Sequence, residues 1–383
     1  MTENPLAPLP AADLEHILRH TQALWRSLDG AHLFITGGTG FFGTWLLETL
    51  AHARTHSDRD LKATILTRDR GAFARKAPHL AANPLFDWLE GDVRTFRFPP
   101  GEFSHIIHAA MPSSRPLPAP EMPDTLASGT RHVLQFAAQS QCRRLLLVSS
   151  GAVYGIQPPE LPRIPETHPY TPDTLGPASP YGESKRMAER LCDAAARQGL
   201  SCAIARCFTV IGPHLPLDAH FAAGNFLRDA MNGGPIRIDS DGRSIRSWLH
   251  MADLVVWLLT ILLNGKPARA YNVGSDEMLS IAGLASRIKE ASGIALPILV
   301  RDPPRPTPPP RYVPDIRRAR EELGLEVRIK IDEAISRTMA WLLHPTPVAG
   351  RRGAKGGKPL PRMTIPPEEE VSHRNPFSGS TRA

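Results

Sequence analysis

The stretch Thr36-Gly37-Gly38-Thr39-Gly40-Phe41-Phe42-Gly43 decides the fold class of this chain. It follows an apolar run, Leu33-Phe34-Ile35, and precedes Trp45-Leu46-Leu47-Glu48-Thr49-Leu50, a run of helical character. A strand, a glycine turn and a helix in that order are what a dinucleotide-binding site requires. Gly37 permits the tight turn, Gly40 lets backbone amides approach a pyrophosphate, and Gly43 lets the helix pack on the sheet. The pyrophosphate then lies on the helix N-terminus, where unpaired amides and the helix dipole favour an anion.

Outward from that turn, apolar strand-like runs recur at His32–Ile35, Ala63–Leu66, His105–His108, Leu145–Val148 and Cys202–Ala205, with helical stretches between most of them. The alternation predicts an α/β fold: a Rossmann-type, doubly wound parallel sheet. Beyond Gly212-Pro213 the alternation loosens, as expected of a smaller C-terminal lobe that binds substrate over the carboxyl ends of the strands. Leu14, Ile17, Leu18, Leu24, Trp25 and Leu28 recur at helical spacing and predict an extra N-terminal helix on the sheet. Pro158–Pro180 is proline-rich and ends at Tyr181, and Pro303–Pro310 reads as a stiff polyproline-like connection. The expected organisation is therefore an N-terminal extension (1–28), a dinucleotide-binding domain (29–210), a substrate-binding lobe (211–345) and a disordered tail (346–383).

Composition excludes several function classes. With 383 residues and 42% hydrophobic content, the chain can bury a large core. The longest apolar stretch, Leu254–Leu263, is too short to span a bilayer. The start, Met1-Thr2-Glu3-Asn4-Pro5, lacks a basic segment and an apolar core, so a cytoplasmic location is expected. Cys142, Cys192, Cys202 and Cys207 show no C-x-x-C spacing and read as reduced, mostly buried thiols. The net charge is +7, but residues after 345 carry seven basic and three acidic side chains, so the globular part is near +3. That does not suggest a nucleic-acid surface. His105 and His108, three apart on a strand, point to opposite faces and cannot chelate together, and no Cys/His cluster exists, so no metal site is expected. Trp248 and Trp257 read as core or pocket-wall aromatics, and Asp253 as the N-cap of the apolar helix that follows it.

The chemistry lies in Tyr181-Gly182-Glu183-Ser184-Lys185, with Ser149-Ser150 upstream at the end of a strand. Tyr181 and Lys185, four apart, share one helix face. A free phenol, with a pKa near about 10, is a poor base at neutral pH. A nearby ammonium and the positive ring of an oxidised nicotinamide would favour the phenolate. Tyr181 then exchanges a proton with a sugar hydroxyl while a hydride moves to or from the cofactor, and Ser150 hydrogen-bonds the same oxygen. Acidity at the end of the second strand would suit the ribose hydroxyls of NAD, but the sequence reads Leu66-Thr67-Arg68-Asp69. Arg68 can pair with a 2′-phosphate, which points to NADP over NAD; the opposing reading leaves Arg68 solvated and gives the ribose to Asp69.

These motifs resemble the extended short-chain dehydrogenase/reductase family, in particular its NAD(P)-dependent nucleotide-sugar epimerase/dehydratase branch. The matching pieces run in order from Thr36–Gly43 through Gly91-Asp92-Val93, His108-Ala109-Ala110, Ser149–Gly155, Tyr181–Lys185 and Arg206–Pro213 to Arg246-Ser247-Trp248, Tyr271–Gly274 and Pro314-Asp315. The resemblance implies that Gly37, Gly38, Thr39, Gly40, Phe41, Phe42 and Gly43 cradle the cofactor, that Asp92 and Val93 hold its adenine, and that Ala109 and Ala110 line its groove. Ser150, Tyr181 and Lys185 would form the catalytic group, the last two also touching cofactor. Arg246 would meet the sugar nucleotide's diphosphate, with Asn225 and Arg311 as further substrate-binding candidates. It also implies a homodimer across the Tyr181 helix and its neighbour around Thr130–Ala138.

Departures from the family pattern narrow the reaction. Members that dehydrate hexoses carry an Asp-Glu pair after the catalytic hydroxyl residue, and related decarboxylases keep the glutamate. This chain has Gly151-Ala152 there, and neither residue can move a proton. The expected reaction is 4-epimerisation of a nucleoside-diphosphate sugar through a keto intermediate. The alternative is NADPH-dependent reduction of a 4-keto-sugar; a non-catalytic cofactor sensor is the alternative of another class. Thr209 stands where an asparagine is usual, and Arg311 lies four residues before Asp315, one farther than the usual spacing.

Overall fold

The structure is a computed structural model that describes residues 5–56, 59–110, 121–169, 179–219 and 221–343. The chain divides into two units, Met1–Ala349 and Gly350–Ala383, and all described residues lie in the first. The tail expected to be disordered and the latter part of the proline-rich stretch lie outside the described residues.

Five strands fall on the predicted apolar runs and a sixth, Phe86–Glu90, joins them: β1 (Ala31–Thr36), β2 (Leu61–Thr67), β3 (Phe86–Glu90), β4 (His105–His108), β5 (Arg144–Ser150) and β6 (Cys202–Cys207). With Ala270–Val273 they form one seven-stranded sheet in the order Ala270–Val273, β6, β5, β4, β1, β2, β3. Every pairing in it is parallel. Strand order reverses between β1 and β4, where Thr36 is in register with His108. A crevice therefore opens beyond the carboxyl ends of these two strands, the usual ligand position in such sheets. β3 was not legible beforehand, because Phe86-Asp87-Trp88-Leu89-Glu90 alternates weakly and lies on the edge of the sheet.

The helices are α1 (Ala11–Thr21), α2 (Phe41–Thr55), α3 (Arg70–Lys76), α4 (Pro78–Ala81), α5 (Glu121–Gln139), α6 (Ser179–Arg197), α7 (Ala222–Met231) and α8 (Met251–Asn264), followed by α9 (Ile281–Ser292), α10 (Arg317–Leu323) and α11 (Ile331–Leu343). Side chains alternate across the sheet and fill a core on each face. Leu33, Ile35, Leu146 and Val148 pack with Trp45, Leu46 and α8, while Phe34, Leu145 and Leu147 pack with Phe136 and Cys192 of α5 and α6. Both faces being covered explains why the strands read as continuous apolar runs. α8 is buried from Met251 to Leu263 and is apolar all round, as a helix inside a core must be. Among the described residues no helix is long and apolar enough to cross a membrane.

The N-terminal helix is present as α1, followed by a short 3-10 turn, Trp25–Leu28. It is tied to α8 by His16 Nε2, 2.8 Å from Asp253 Oδ1. Asp253 is not the N-cap expected from the sequence. His250 takes that place, its Nδ1 accepting the Ala252 amide, and Asp253 sits in the first turn. Its carboxylate is drawn instead to distant donors, accepting the amides of Arg328 and Ile329 at 2.8 and 2.9 Å. Trp248 and Trp257 are core residues, as expected, and all four cysteines are free.

Candidate active site

The glycine turn closes against the end of β4. Gly37 has φ +74°, and a Cβ there would lie 2.4 Å from the Ala109 carbonyl oxygen and 2.7 Å from the Ala110 nitrogen. A Cβ on Gly43 would strike the backbone of Gly37 and Gly38 at 2.3–2.5 Å, so α2 packs onto the turn itself. Gly40 is the N-cap of α2, which carries no side-chain cap. The first amides of α2 are thus presented beside a cradle that only glycine leaves open, an arrangement suited to a pyrophosphate. Phe41 and Phe42 open the helix, and Thr39 precedes it with its carbonyl accepting from Lys76 Nζ at 3.2 Å.

The groove walls are held by a small buried network. Thr36 accepts the Ala109 amide on its carbonyl and the Ala110 amide on its hydroxyl, both at 3.1 Å. Thr36 Oγ1 also lies 2.8 Å from His108 Nδ1, and His108 Nε2 is 3.1 Å from Thr130 of α5. Burial, reinforced by the Lys185 charge, lowers the His108 pKa to about 3, so this imidazole is a neutral strut. Val93 packs on Gly129 of α5. Asp92 is bound by Arg94 at 2.8 and 3.1 Å, and that hydrogen bond is the main reason its carboxyl sits below the usual carboxylate range. At the end of β2, Arg68 is exposed, while Asp69 caps α3 by accepting the Ala72 amide at 2.7 Å. The Asp69 carboxylate is therefore already engaged by protein.

Ser150, Tyr181 and Lys185 converge where β5 meets α6. Ser150 is the last residue of β5 and its hydroxyl accepts the Ala152 amide at 3.2 Å. Burial pushes the Tyr181 phenol above its ordinary value, while the neighbouring Ser150 hydroxyl favours its ionised form. Lys185 is buried, donates to the Val148 carbonyl at 2.6 Å, and has its pKa lowered by burial to about 8. The sequence suggested that Lys185 would pull the phenol down. In this geometry the ammonium is committed to β5, and burial governs Tyr181.

Behind these residues runs an ionic network that sequence reasoning missed. Glu189, one turn beyond Lys185 on α6, binds Arg206 of β6 at 2.7–3.2 Å and accepts the Ser149 hydroxyl at 2.6 Å. Arg206 also donates to Tyr154 at 2.8 Å, and Tyr154 donates to Asn272 at 2.7 Å. The network pins α6 to β5, β6 and the strand Ala270–Val273, which fixes the height of Tyr181 relative to Ser150.

The outer candidates divide. Arg246 is half-buried, its guanidinium 5.8 Å from the centre of the Tyr312 ring, and Tyr312 OH lies 3.5 Å from Ser150 Oγ. Arg311, one residue earlier, sits opposite Ile245 rather than Arg246 and is 3.7 Å from Met278 Sδ. Alternation along the short strand Arg311–Tyr312 thus sends the tyrosine, not the arginine, toward the serine. Asn225 lies on α7; with its amide nitrogen facing the Ala219 and Leu217 carbonyls it donates at 3.1 and 2.9 Å, bracing the loop before the helix. The remaining missed residue is Phe208, whose ring packs on Tyr312 with centroids 4.6 Å apart. No local motif marks Tyr312, and Phe208 lies within the matching piece Arg206–Pro213 without a role of its own there. Among the described residues no group of His, Cys, Asp and Glu is arranged to hold a metal.

A glycine cradle at the switch point of a doubly wound sheet, facing a Ser-Tyr-Lys cluster, defines a dinucleotide-binding enzyme class. More narrowly, the chain belongs to the NAD dependent epimerase/dehydratase family, whose sequence model matches residues 33–274. UDP-glucuronic acid decarboxylase 1 of Xenopus tropicalis is 28% identical over 322 residues, covering 82% of this chain and 72% of the relative. dTDP-glucose 4,6-dehydratase of Streptomyces niveus is 25% identical over 332 residues, covering 81% and 92%. In fold the chain is similar to a UDP-glucose 4-epimerase of Thermotoga maritima, with a TM-score of 0.68, 20% identity, and coverage of 81% of this chain and 98% of that one. It is similar also to a UDP-N-acetylglucosamine 4-epimerase of Methanobrevibacter ruminantium, with a TM-score of 0.69, 18% identity and coverage of 82% and 98%.

Proposed function

We propose that the protein epimerises a nucleoside-diphosphate sugar at C4 through a keto-sugar. One observation carries this reading: Ser150 and Tyr181 meet at the end of β5 with Lys185 beneath, and the positions after the serine, Gly151 and Ala152, offer no carboxylate. The first curated relatives are named decarboxylases, and others are dehydratases. Gly151 and Ala152 favour a reaction that needs a proton only at the reacting hydroxyl.

Gly37–Gly43 on the N-terminus of α2 would hold the cofactor, with Asp92 and Val93 at its adenine end and Ala109 and Ala110 along the groove. When bound, it supplies acceptance and return of a hydride at the ring carbon. Tyr181 takes the proton of the sugar hydroxyl in one direction and returns it in the other. Ser150 Oγ hydrogen-bonds the same oxygen and fixes its distance from the phenol. Lys185 spends one of its three donors on Val148, leaving two that can face the cofactor. Arg246 meets the diphosphate, a role suited to a bidentate guanidinium, with Asn225 and Arg311 at the edge of the substrate pocket.

A second reading, an NADPH-dependent 4-ketoreductase, uses the same residues. Its support is the end of β2, where Arg68 is exposed and Asp69 is engaged as a cap, favouring NADP over NAD. In either case the assembly proposed is a homodimer built on α5 and α6, where Met187 of α6 is 47% exposed.

The test is to identify any nicotinamide cofactor released on denaturation and to assay Tyr181→Phe. Near-stoichiometric NAD supports the epimerase, and reversible NADPH binding supports the ketoreductase. Tyr181→Phe should lose turnover by at least about 100-fold while keeping cofactor binding; unchanged turnover refutes the assignment.

A further inference from the structure

The space beside Ser150 is filled from an unexpected part of the chain. A Cβ on Gly151 would lie 2.7 Å from Tyr312 OH and 2.7 and 2.8 Å from the Phe208 ring. The volume that a side chain at 151 would take is therefore occupied by two aromatic side chains. Tyr312 comes from 162 residues further along, and its hydroxyl lies 3.5 Å from Ser150 Oγ.

The placement of Tyr312 is well braced. The strand Arg311–Tyr312 pairs with Ile245–Arg246, with Tyr312 in register with Arg246. The next residue, Val313, donates its amide to Gln157 Oε1 at 2.9 Å and accepts the Ile164 amide at 2.9 Å. The ring packs on Phe208 on one side and has the Arg246 guanidinium 5.8 Å from its centre. Yet the residue is only half-buried. A buried phenol held only for packing would not need a second hydroxyl beside it, and a phenylalanine would fill the same volume.

We propose that Tyr312 is a sugar-contacting residue: its phenol, which takes the place that a side chain at 151 would fill and is paired with Ser150, binds a ring hydroxyl of the nucleotide sugar. This rests on the nucleotide-sugar reading above. Ser150 thereby stands between two phenols, Tyr181 for the reacting hydroxyl and Tyr312 for a neighbouring one. Tyr312 belongs to the sugar, and Arg246 beyond it to the diphosphate.

Calorimetric titration of the NAD-supplemented protein with UDP and with UDP-glucose separates the two regions. Wild type should bind UDP-glucose more tightly than UDP. Tyr312→Phe keeps the ring and its packing, so it should weaken UDP-glucose about 5- to 10-fold, the worth of one hydrogen bond, and leave UDP within about 2-fold. Ser150→Ala combined with Tyr312→Phe should weaken UDP-glucose by less than the product of the two single effects, because the hydroxyls act as a pair. Undiminished UDP-glucose binding by Tyr312→Phe overturns the proposal. So does equal weakening of both ligands, or a wild type that binds UDP-glucose no better than UDP. Turnover of Tyr181→Phe is read separately: if it is unchanged the epimerase reading falls, while the binding difference still decides Tyr312.

Discussion

Replacing Gly37 by alanine should cost far more than the same change at Gly30, although the two backbones are alike. Their φ angles are +74° and +67°. An L-residue in this left-handed region loses about 1–2 kcal/mol, offset by roughly 0.4–1 kcal/mol from a stiffer unfolded chain. At Gly30 nothing lies within 4 Å of the added Cβ, so Gly30→Ala should cost about 1 kcal/mol or less. At Gly37 the Cβ meets the Ala109 oxygen at 2.4 Å and the Ala110 nitrogen at 2.7 Å, against an ordinary contact of 3.4–4 Å. The backbone must move by about 1 Å, and Thr36 holds both Ala109 and Ala110 by hydrogen bonds. Overpacking of this kind adds about 1–3 kcal/mol, so Gly37→Ala should lose about 2–4 kcal/mol in all. Urea unfolding midpoints of the two variants measure the difference, and NAD titration should show at least about a tenfold weaker complex for Gly37→Ala only, about 1.4 kcal/mol. Equal destabilisation of the two variants, or normal NAD binding by Gly37→Ala, would refute the argument that the turn is closed by this contact.

Two further outcomes follow from buried groups. Glu189→Ala strands the Arg206 guanidinium, whose side chain is 16% exposed, and should cost about 3 kcal/mol or more in urea, with Glu189→Gln milder; a loss under about 1 kcal/mol would mean that the network is not structural. His108 titrates near 3 in the folded chain against an ordinary 6.5. Between those values the unfolded state binds a proton that the folded state refuses, so stability falls as pH drops through this window. At pH 5 the His108 contribution to that loss is about 2 kcal/mol. About 0.4 kcal/mol of this is already lost at pH 6.5, so His108→Gln should lose about 1.6 kcal/mol less than wild type between pH 6.5 and 5, and parallel pH–stability curves would contradict the assignment of a neutral buried imidazole.

The reach of the sequence ends where interactions stop being local. Thr36–Gly43 announced both turn and helix because a positive φ and a close backbone approach leave glycine as the residue that fits. The parallel strands announced themselves through apolar runs, since both faces of the sheet are covered. Tyr181 and Lys185 were legible because helical spacing alone puts them on one face. Nothing local shows that Asp253 turns to His16 and to the Arg328 and Ile329 amides. Nothing local shows that Lys185 is committed to Val148, or that Glu189 closes on Arg206. The choice between Arg311 and Tyr312 is of the same kind. The family resemblance drew attention to the arginine, although it stands one residue farther from Asp315 than usual, and strand pairing with Ile245–Arg246 turns the tyrosine to Ser150. The sequence by itself determined the doubly wound fold, the glycine turn and the shared helix face of Tyr181 and Lys185, because each depends on backbone conformation or on spacing within one element. Which side chain stands beside the serine, and which charges are already spent on the protein, was decided by the tertiary structure, because those contacts join segments that only the closed sheet brings together.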